Sequence, residues 1–124
     1  MKPKILIVED EIALLATLQE FLVIEYDVVK AQSGERAVTL IKELKFDAVI
    51  VDLNLPDTHG LNIIKLVKNR QPKAAILVLT GDGDSDTVKK ALDFGAMDYL
   101  LKPISKLQLL RRLKHAVHTR KSDL

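Results

Sequence analysis

The chain has 124 residues, the length of one domain, and its 48% hydrophobic and 29% charged content is that of an ordinary soluble globular protein. A formal net charge of +2 is too small to argue for nucleic acid or a membrane surface, and the absence of cysteine excludes disulfides, thiolate metal sites and cysteine nucleophiles. No apolar run approaches the ~20 residues that cross a bilayer, and Met1-Lys2-Pro3-Lys4 opens without a signal-peptide cleavage pattern, so a cytoplasmic protein is expected.

Apolar runs alternate with amphipathic stretches along the whole chain. Ile5-Leu6-Ile7-Val8 is a continuous run that stops at Glu9-Asp10-Glu11. Leu14, Leu15, Leu18, Phe21 and Leu22 then recur at helical spacing. Val28-Val29 is a shorter extended piece. Ser33 is placed to cap a helix carrying Ala37, Val38, Ile41 and Leu44. Ala48-Val49-Ile50-Val51 is a second continuous run, ending at Asp52. Gly60 precedes a helix with Leu61, Ile64 and Val67, closed by Gln71-Pro72. Ala75-Ile76-Leu77-Val78-Leu79 ends at Thr80-Gly81. Asp84 and Ser85 are read as the cap of a helix that stops at Gly95. Met97 to Leu101 makes a short strand ending at Lys102-Pro103, and Leu107, Leu110, Leu113 and Val117 mark a last helix.

Runs that are apolar throughout, without alternation, suit strands covered on both faces. They predict an α/β protein: a single doubly wound domain, (βα)5, with a parallel five-stranded sheet. Right-handed crossovers and a switch point select the flavodoxin-like strand order 2-1-3-4-5. Sites in such sheets lie beyond the carboxyl ends of the strands. Strands 1, 3, 4 and 5 are neighbours in that order, so Glu9-Asp10-Glu11, Asp52, Thr80-Gly81 and Lys102 are expected to meet at one end.

Three carboxylates held together repel one another unless a cation lies between them. Oxygen ligands without sulfur or histidine suit Mg²⁺. Acids, Mg²⁺, a lysine and a hydroxyl are the parts that phosphoryl transfer uses, and a carboxylate can itself be the nucleophile.

Four segments carry a resemblance: Ile7-Val8-Glu9-Asp10-Glu11; Val49 to Pro56 with Gly60; Val78-Leu79-Thr80-Gly81; and Tyr99-Leu100-Leu101-Lys102-Pro103. In this order and spacing the chain resembles the receiver domain of two-component response regulators, the CheY-like family, over nearly its whole length. The resemblance implies that Asp52 takes a phosphoryl group from the phosphohistidine of a histidine kinase or phosphotransfer protein. It implies that Asp10 and Asp52 ligate Mg²⁺, with the backbone carbonyl of Asn54, and that Glu9 acts through a coordinated water. Lys102 would pair with the phosphoryl oxygens. Thr80 would bond to the phosphoryl group and Tyr99 would turn inward behind it. The Lys102–Pro103 peptide would be cis. The response would appear on the fourth helix, fifth strand and fifth helix, roughly residues 84–117, a face also suited to homodimerisation. Departures are small: Glu9 for a common aspartate, Leu55 for a frequent methionine and Gly81 for a frequent alanine.

Other readings are weaker. An aspartate-nucleophile phosphatase would carry a second acid where Asn54 stands. A flavin module would need a phosphate loop where Glu9-Asp10-Glu11 repels one. A non-phosphorylated interaction or dimerisation module of the same fold is the main alternative, and the intact Asp10, Asp52, Thr80 and Lys102 argue against it. Asp82 to Asp86 begins like a calcium loop, but Thr87 and Asp93 stand where a glycine and a bidentate glutamate are needed. His59, His115 and His118 are read as surface residues, and Arg111, Arg112, Lys114, Arg120 and Lys121 as a solvated cationic helix end. Residues 1–121 are expected to form the receiver domain. Residues 122–124 are then a tail or the start of a linker to an output domain, with transcription regulation among its roles. No recognition helix or zinc finger is present, so direct nucleic-acid binding by these residues is not expected. Beyond self-phosphorylation and self-dephosphorylation, no enzyme activity is expected.

Overall fold

The computed structural model describes residues 1–83 and 85–122. The elements run β1 (Lys4–Val8), α1 (Ile12–Leu22), β2 (Asp27–Ala31), α2 (Gly34–Glu43), β3 (Ala48–Asp52), α3 (Gly60–Arg70), β4 (Ala75–Thr80), α4 (Asp86–Asp93), β5 (Asp98–Leu101) and α5 (Lys106–Ser122). All strand pairings are parallel, in the order β2-β1-β3-β4-β5.

The continuous apolar runs have a direct cause. Successive side chains in a strand point to opposite faces, and here both faces are covered. Leu6, Val8, Val49, Val51, Ile76 and Val78 face one core with Ala37, Ile41, Ile64 and Val88 from α2, α3 and α4. Ile5, Ile7, Ile50, Leu77 and Leu79 face the other with Leu15, Leu18, Leu109 and Leu113 from α1 and α5. β3 and β4 are buried along their whole length. β2, at the sheet edge, is mostly half-buried or exposed. That explains why its apolar signal shrank to Val28-Val29 although its ladder with β1 runs from Asp27 to Ala31.

The helix ends follow local chemistry. Ser33 Oγ accepts the Arg36 N–H at 3.1 Å, as its cap position predicts. α4 ends in a Schellman motif: Ala96 N–H donates to Ala91 O at 2.9 Å and Gly95 N–H to Leu92 O at 3.1 Å. Gly95 has φ +120°, where a side chain is strained. Ser85 caps α4 by accepting the Val88 N–H at 3.2 Å; Asp84, expected to share that role, lies outside the described residues. So do Asp123 and Leu124 of the expected tail, while α5 continues through Ser122.

Candidate functional site

The ladder places the site. Asp52 is the last residue of β3 and pairs with Leu79, one position before Thr80, the last residue of β4. Glu9 follows β1, and its N–H donates to Ala31 O at 3.0 Å. Lys102 follows β5, and its N–H donates to Thr80 O at 2.8 Å. Backbone hydrogen bonds therefore extend one residue past the strands and fix the side chains that emerge there.

Glu9, Asp10 and Asp52 each offer a carboxylate oxygen, and these oxygens lie within 4.8 Å of one another. Glu9 and Asp52 are buried, at 0% and 2% exposure, while Asp10 faces solvent. Lys102 Nζ donates to Asp52 Oδ2 at 2.8 Å and stands 3.1 Å from Glu9 Oε1. Asp52 Oδ1 accepts the Asn54 N–H at 3.0 Å, and Glu9 Oε2 accepts the Glu11 N–H at 3.1 Å. Glu11 caps α1 through its backbone only.

Burial pushes the Glu9 carboxyl up to about 6, the Asp52 charge adds to the rise, and the Glu11 N–H and Lys102 oppose it. Burial alone would lower the Lys102 ammonium, but its hydrogen bond to Asp52 and the charges of Asp52 and Glu9 outweigh that and raise it.

The residues fit a hard divalent cation. The donor set is all oxygen, the form that suits Mg²⁺. Glu9 Oε1 is buried and accepts no hydrogen bond in bonding geometry, despite the nearby Lys102. The ion pair with Lys102 leaves that oxygen able to take a further partner, which a cation or its water would supply. A cavity of about 460 Å³ opens beside these acids, bounded by Asp10, Asn54, Asp57 and His59.

Thr80 and Tyr99 lie close by but are turned elsewhere. The Thr80 hydroxyl donates to Asp82 O at 3.2 Å and accepts the Asp82 N–H at 3.1 Å. A second cavity, of about 270 Å³, lies between Thr80, Asn54 and Thr87. Tyr99 is half-buried with its ring against Gly83. Its carbonyl accepts from Arg112 Nη1 at 3.3 Å, and the same nitrogen donates to both Asp98 oxygens at 2.8 and 3.0 Å. The Lys102–Pro103 peptide is cis.

Gly60 lets the β3–α3 loop fold back on the strand. A Cβ there would lie 2.5 Å from Asp52 O and 2.7 Å from Leu53 Cα. Two loop residues play parts that sequence reasoning missed. His59 is exposed, as read, but its Nδ1 also caps α3 by accepting the Leu61 N–H at 3.1 Å; its place just before Gly60 was the available signal. Asp57 caps a different helix, α2, and nothing local announces that.

Among known proteins, residues 5–114 match the family model described as response regulator receiver domain. Over 115 residues the chain is 33% identical to the cell cycle transcriptional regulator CtrA of Caulobacter vibrioides, covering 92% of this chain and 49% of CtrA. The chain spans about half or less of the length of the curated relatives it matches. It is similar in structure to a CheY-like response regulator receiver domain protein from Methanospirillum hungatei JF-1, with a TM-score of 0.95 and 25% identity over 100% of both chains. It is also similar to the receiver domain of the sensor histidine kinase PA1611 from Pseudomonas aeruginosa PAO1, whose structure has a magnesium ion coordinated in the active site cleft. That match has a TM-score of 0.86 and 25% identity, and covers 95% of this chain and 99% of that one.

Proposed function

The chain belongs to the response regulator receiver domain family, and from that premise we propose that it is a phosphorylation switch whose acceptor is Asp52. The observation that carries this reading is the setting of that carboxylate. Asp52 is buried at the tip of a central strand, between the Lys102 ammonium and the Asn54 N–H, beside Glu9 and Asp10.

In the proposed step an Asp52 oxygen forms a bond to phosphorus as the P–N bond of a phosphohistidine breaks. The leaving imidazole keeps the electron pair and takes a proton from solvent. The donor is a histidine kinase or phosphotransfer protein. Glu9, Asp10, Asp52 and the Asn54 carbonyl would hold Mg²⁺, with Glu9 acting through water. When bound, the ion would supply charge neutralisation at the phosphoryl oxygens. Lys102 holds a positive charge against Asp52 and Glu9 and would supply a charge-assisted hydrogen bond to the incoming group.

The switch follows from what the added group needs. Aspartyl phosphate brings charge and acceptor oxygens that the present arrangement satisfies only partly. Thr80 would exchange its bonds to the Asp82 backbone for one to the phosphoryl group. Tyr99 would then move inward, changing the α4–β5–α5 face. Leu92, Leu101 and Leu107 are exposed on those elements and suit a partner or a second copy of the chain. Residues 1–121 act as the receiver domain, and an output domain after α5 fits a chain that matches half of CtrA. A cytoplasmic site of action fits a kinase partner; no helix among the described residues is long and apolar enough to cross a membrane.

The test is a small phosphodonor with Mg²⁺, read by intact mass. One phosphoryl group should add to the wild-type chain and none to Asp52→Asn. Equal labelling of that variant would sink the assignment.

A further inference from the structure

α2 begins in an unusual way. The first N–H groups of a helix lack partners within it and are normally capped from the residue just before. Ser33 covers only Arg36. The Gly34 and Glu35 N–H groups donate instead to Asp57, 23 and 22 residues further on, at 2.9 Å to Oδ1 and 2.9 Å to Oδ2. Those two bonds hold the Asp57 carboxyl below its ordinary range.

Asp57 sits on the loop that carries Asn54. That loop is closed on itself: Asn54 bridges to His59, Gly60 N–H donates to Leu53 O at 2.9 Å, and Asn54 N–H reaches Asp52 Oδ1 at 3.0 Å. These bonds close the loop around Asp57 and tie it to the end of β3. The cavity of about 460 Å³ beside the acids has Asp10 and Asn54 in its wall, and Asp57 as well. Contact with α2 is close: a Cβ on Gly34 would run into the Thr58 methyl and lie 3.2 Å from Asp57 Oδ1. A side chain at position 34 would force Thr58 to shift, so glycine lets the helix approach this near without displacing the loop.

We infer that Asp57 is a positioning residue that ties the Asn54 loop to the N-terminus of α2, so that cation binding at the acids and the capping of α2 are coupled. The inference rests on the reading of Glu9, Asp10, Asp52 and Asn54 as the Mg²⁺ site. Both Asp57 oxygens are taken up by the α2 N–H groups, so its part is played through the loop. It fixes the far end of the loop whose near end presents the Asn54 carbonyl. Coupling of this kind is reciprocal: whatever holds the loop for the cation also steadies the cap, and whatever steadies the cap favours the cation. It makes α2 a second element that senses the site, on the side away from β5.

The experiment is a Mg²⁺ titration by calorimetry on the whole chain, with amide hydrogen exchange at Gly34 and Glu35. Asp57→Ala and Gly34→Ala, which strike the contact from its two sides, should each weaken Mg²⁺ binding by about tenfold, the lower range for outer partners of a metal site. Asp57→Asn should restore part of the loss, because its amide oxygen can still accept one N–H. Gln71→Ala is the control. It removes the side chain that takes the Phe46 N–H at 2.8 Å and donates to Ile41 O and Leu44 O at 2.9 and 2.7 Å, clasping the other end of α2. Its Mg²⁺ affinity should stay within about twofold of wild type, as for a distant site. Mg²⁺ should slow exchange at Gly34 and Glu35 in wild type and not in Asp57→Ala. Wild-type affinity in Asp57→Ala, or an equal loss in Gln71→Ala, overturns the inference while leaving the site reading standing. No Mg²⁺ uptake by wild type overturns both.

Discussion

Lys102 donates to Asp52 across 2.8 Å although 50 residues separate them in the chain. The same ammonium stands 3.1 Å from Glu9, so one cation offsets two buried acids. The pair is formed across β4, from the ends of β3 and β5, and no local signal announces it. Three consequences of this charge balance can be measured, and a fourth concerns the glycine that lets the loop close.

Replacing Lys102 by Met keeps much of the apolar stem and removes the charge. Glu9 and Asp52 then face each other uncompensated. Breaking a fully buried pair costs roughly 3–5 kcal/mol, and with the Lys102 side chain 28% exposed the expected loss is about 2 kcal/mol. Urea melts with and without Mg²⁺ should show the deficit shrinking when the ion is present. A metal-free stability equal to wild type would contradict the charge balance.

Glu9 gives a pH dependence of defined sign. Its carboxyl is pushed up to about 6 in the folded chain from an ordinary 4.5, so the fold holds that proton more tightly than the unfolded chain does. This contribution is fully present below 4.5 and is lost as pH rises through about 6. At about 1.4 kcal/mol per unit the loss is of order 2 kcal/mol. In metal-free denaturation, Glu9→Gln should gain on wild type as pH is raised across that window. A proton on Glu9 removes a negative charge that faces the cation through its water, so Mg²⁺ affinity of the wild type should climb over the same window. A flat difference between the two proteins from about pH 4 to about pH 7 would contradict the burial argument.

Asp10 faces solvent and makes no ion pair among the described residues, yet its carboxylate lies within 4.8 Å of the other two acids. Asp10→Asn removes repulsion and sacrifices no packing. The metal-free protein should gain ~0.5–1 kcal/mol, the size of a solvent-screened charge interaction, and a melting temperature higher by about 3 °C. Stabilisation by Mg²⁺ should largely disappear. A variant that melts lower without metal, or binds Mg²⁺ as before, would remove Asp10 from the cluster.

Gly60→Ala places a Cβ 2.5 Å from Asp52 O and 2.7 Å from Leu53 Cα, and both are backbone atoms that cannot swing aside. A loss of ~1–3 kcal/mol is expected, the range for overpacking. Asp52 labelling by a phosphodonor should also slow, because the strand end that aims its carboxylate is displaced. Thermal melts and labelling rates check the two effects separately.

The architecture was legible because it rests on local patterns. Ile5 to Val8, Ala48 to Val51 and Ala75 to Leu79 are apolar without alternation, and a chain segment of that kind has one economical place, the middle of a sheet covered on both sides. β2 carries only the short apolar signal Val28-Val29 because an edge strand needs fewer apolar residues. The convergence of Glu9, Asp10, Asp52, Thr80 and Lys102 followed from strand order alone, since each stands at or just past a strand end.

The sequence by itself determined the element order, the sheet, and which residue types gather at its carboxyl end, because periodicity and strand termini are properties of neighbouring residues. Only the tertiary structure decided that Lys102 bonds to one oxygen of Asp52 while Asn54 takes the other, and that Thr80 turns to the Asp82 backbone. It also decided that Asp57 caps a helix that begins 23 residues earlier. Those choices depend on burial, on distances of a few ångströms and on where loops close. Such quantities are set by the packing of segments far apart in the chain, and no spacing of residues encodes them.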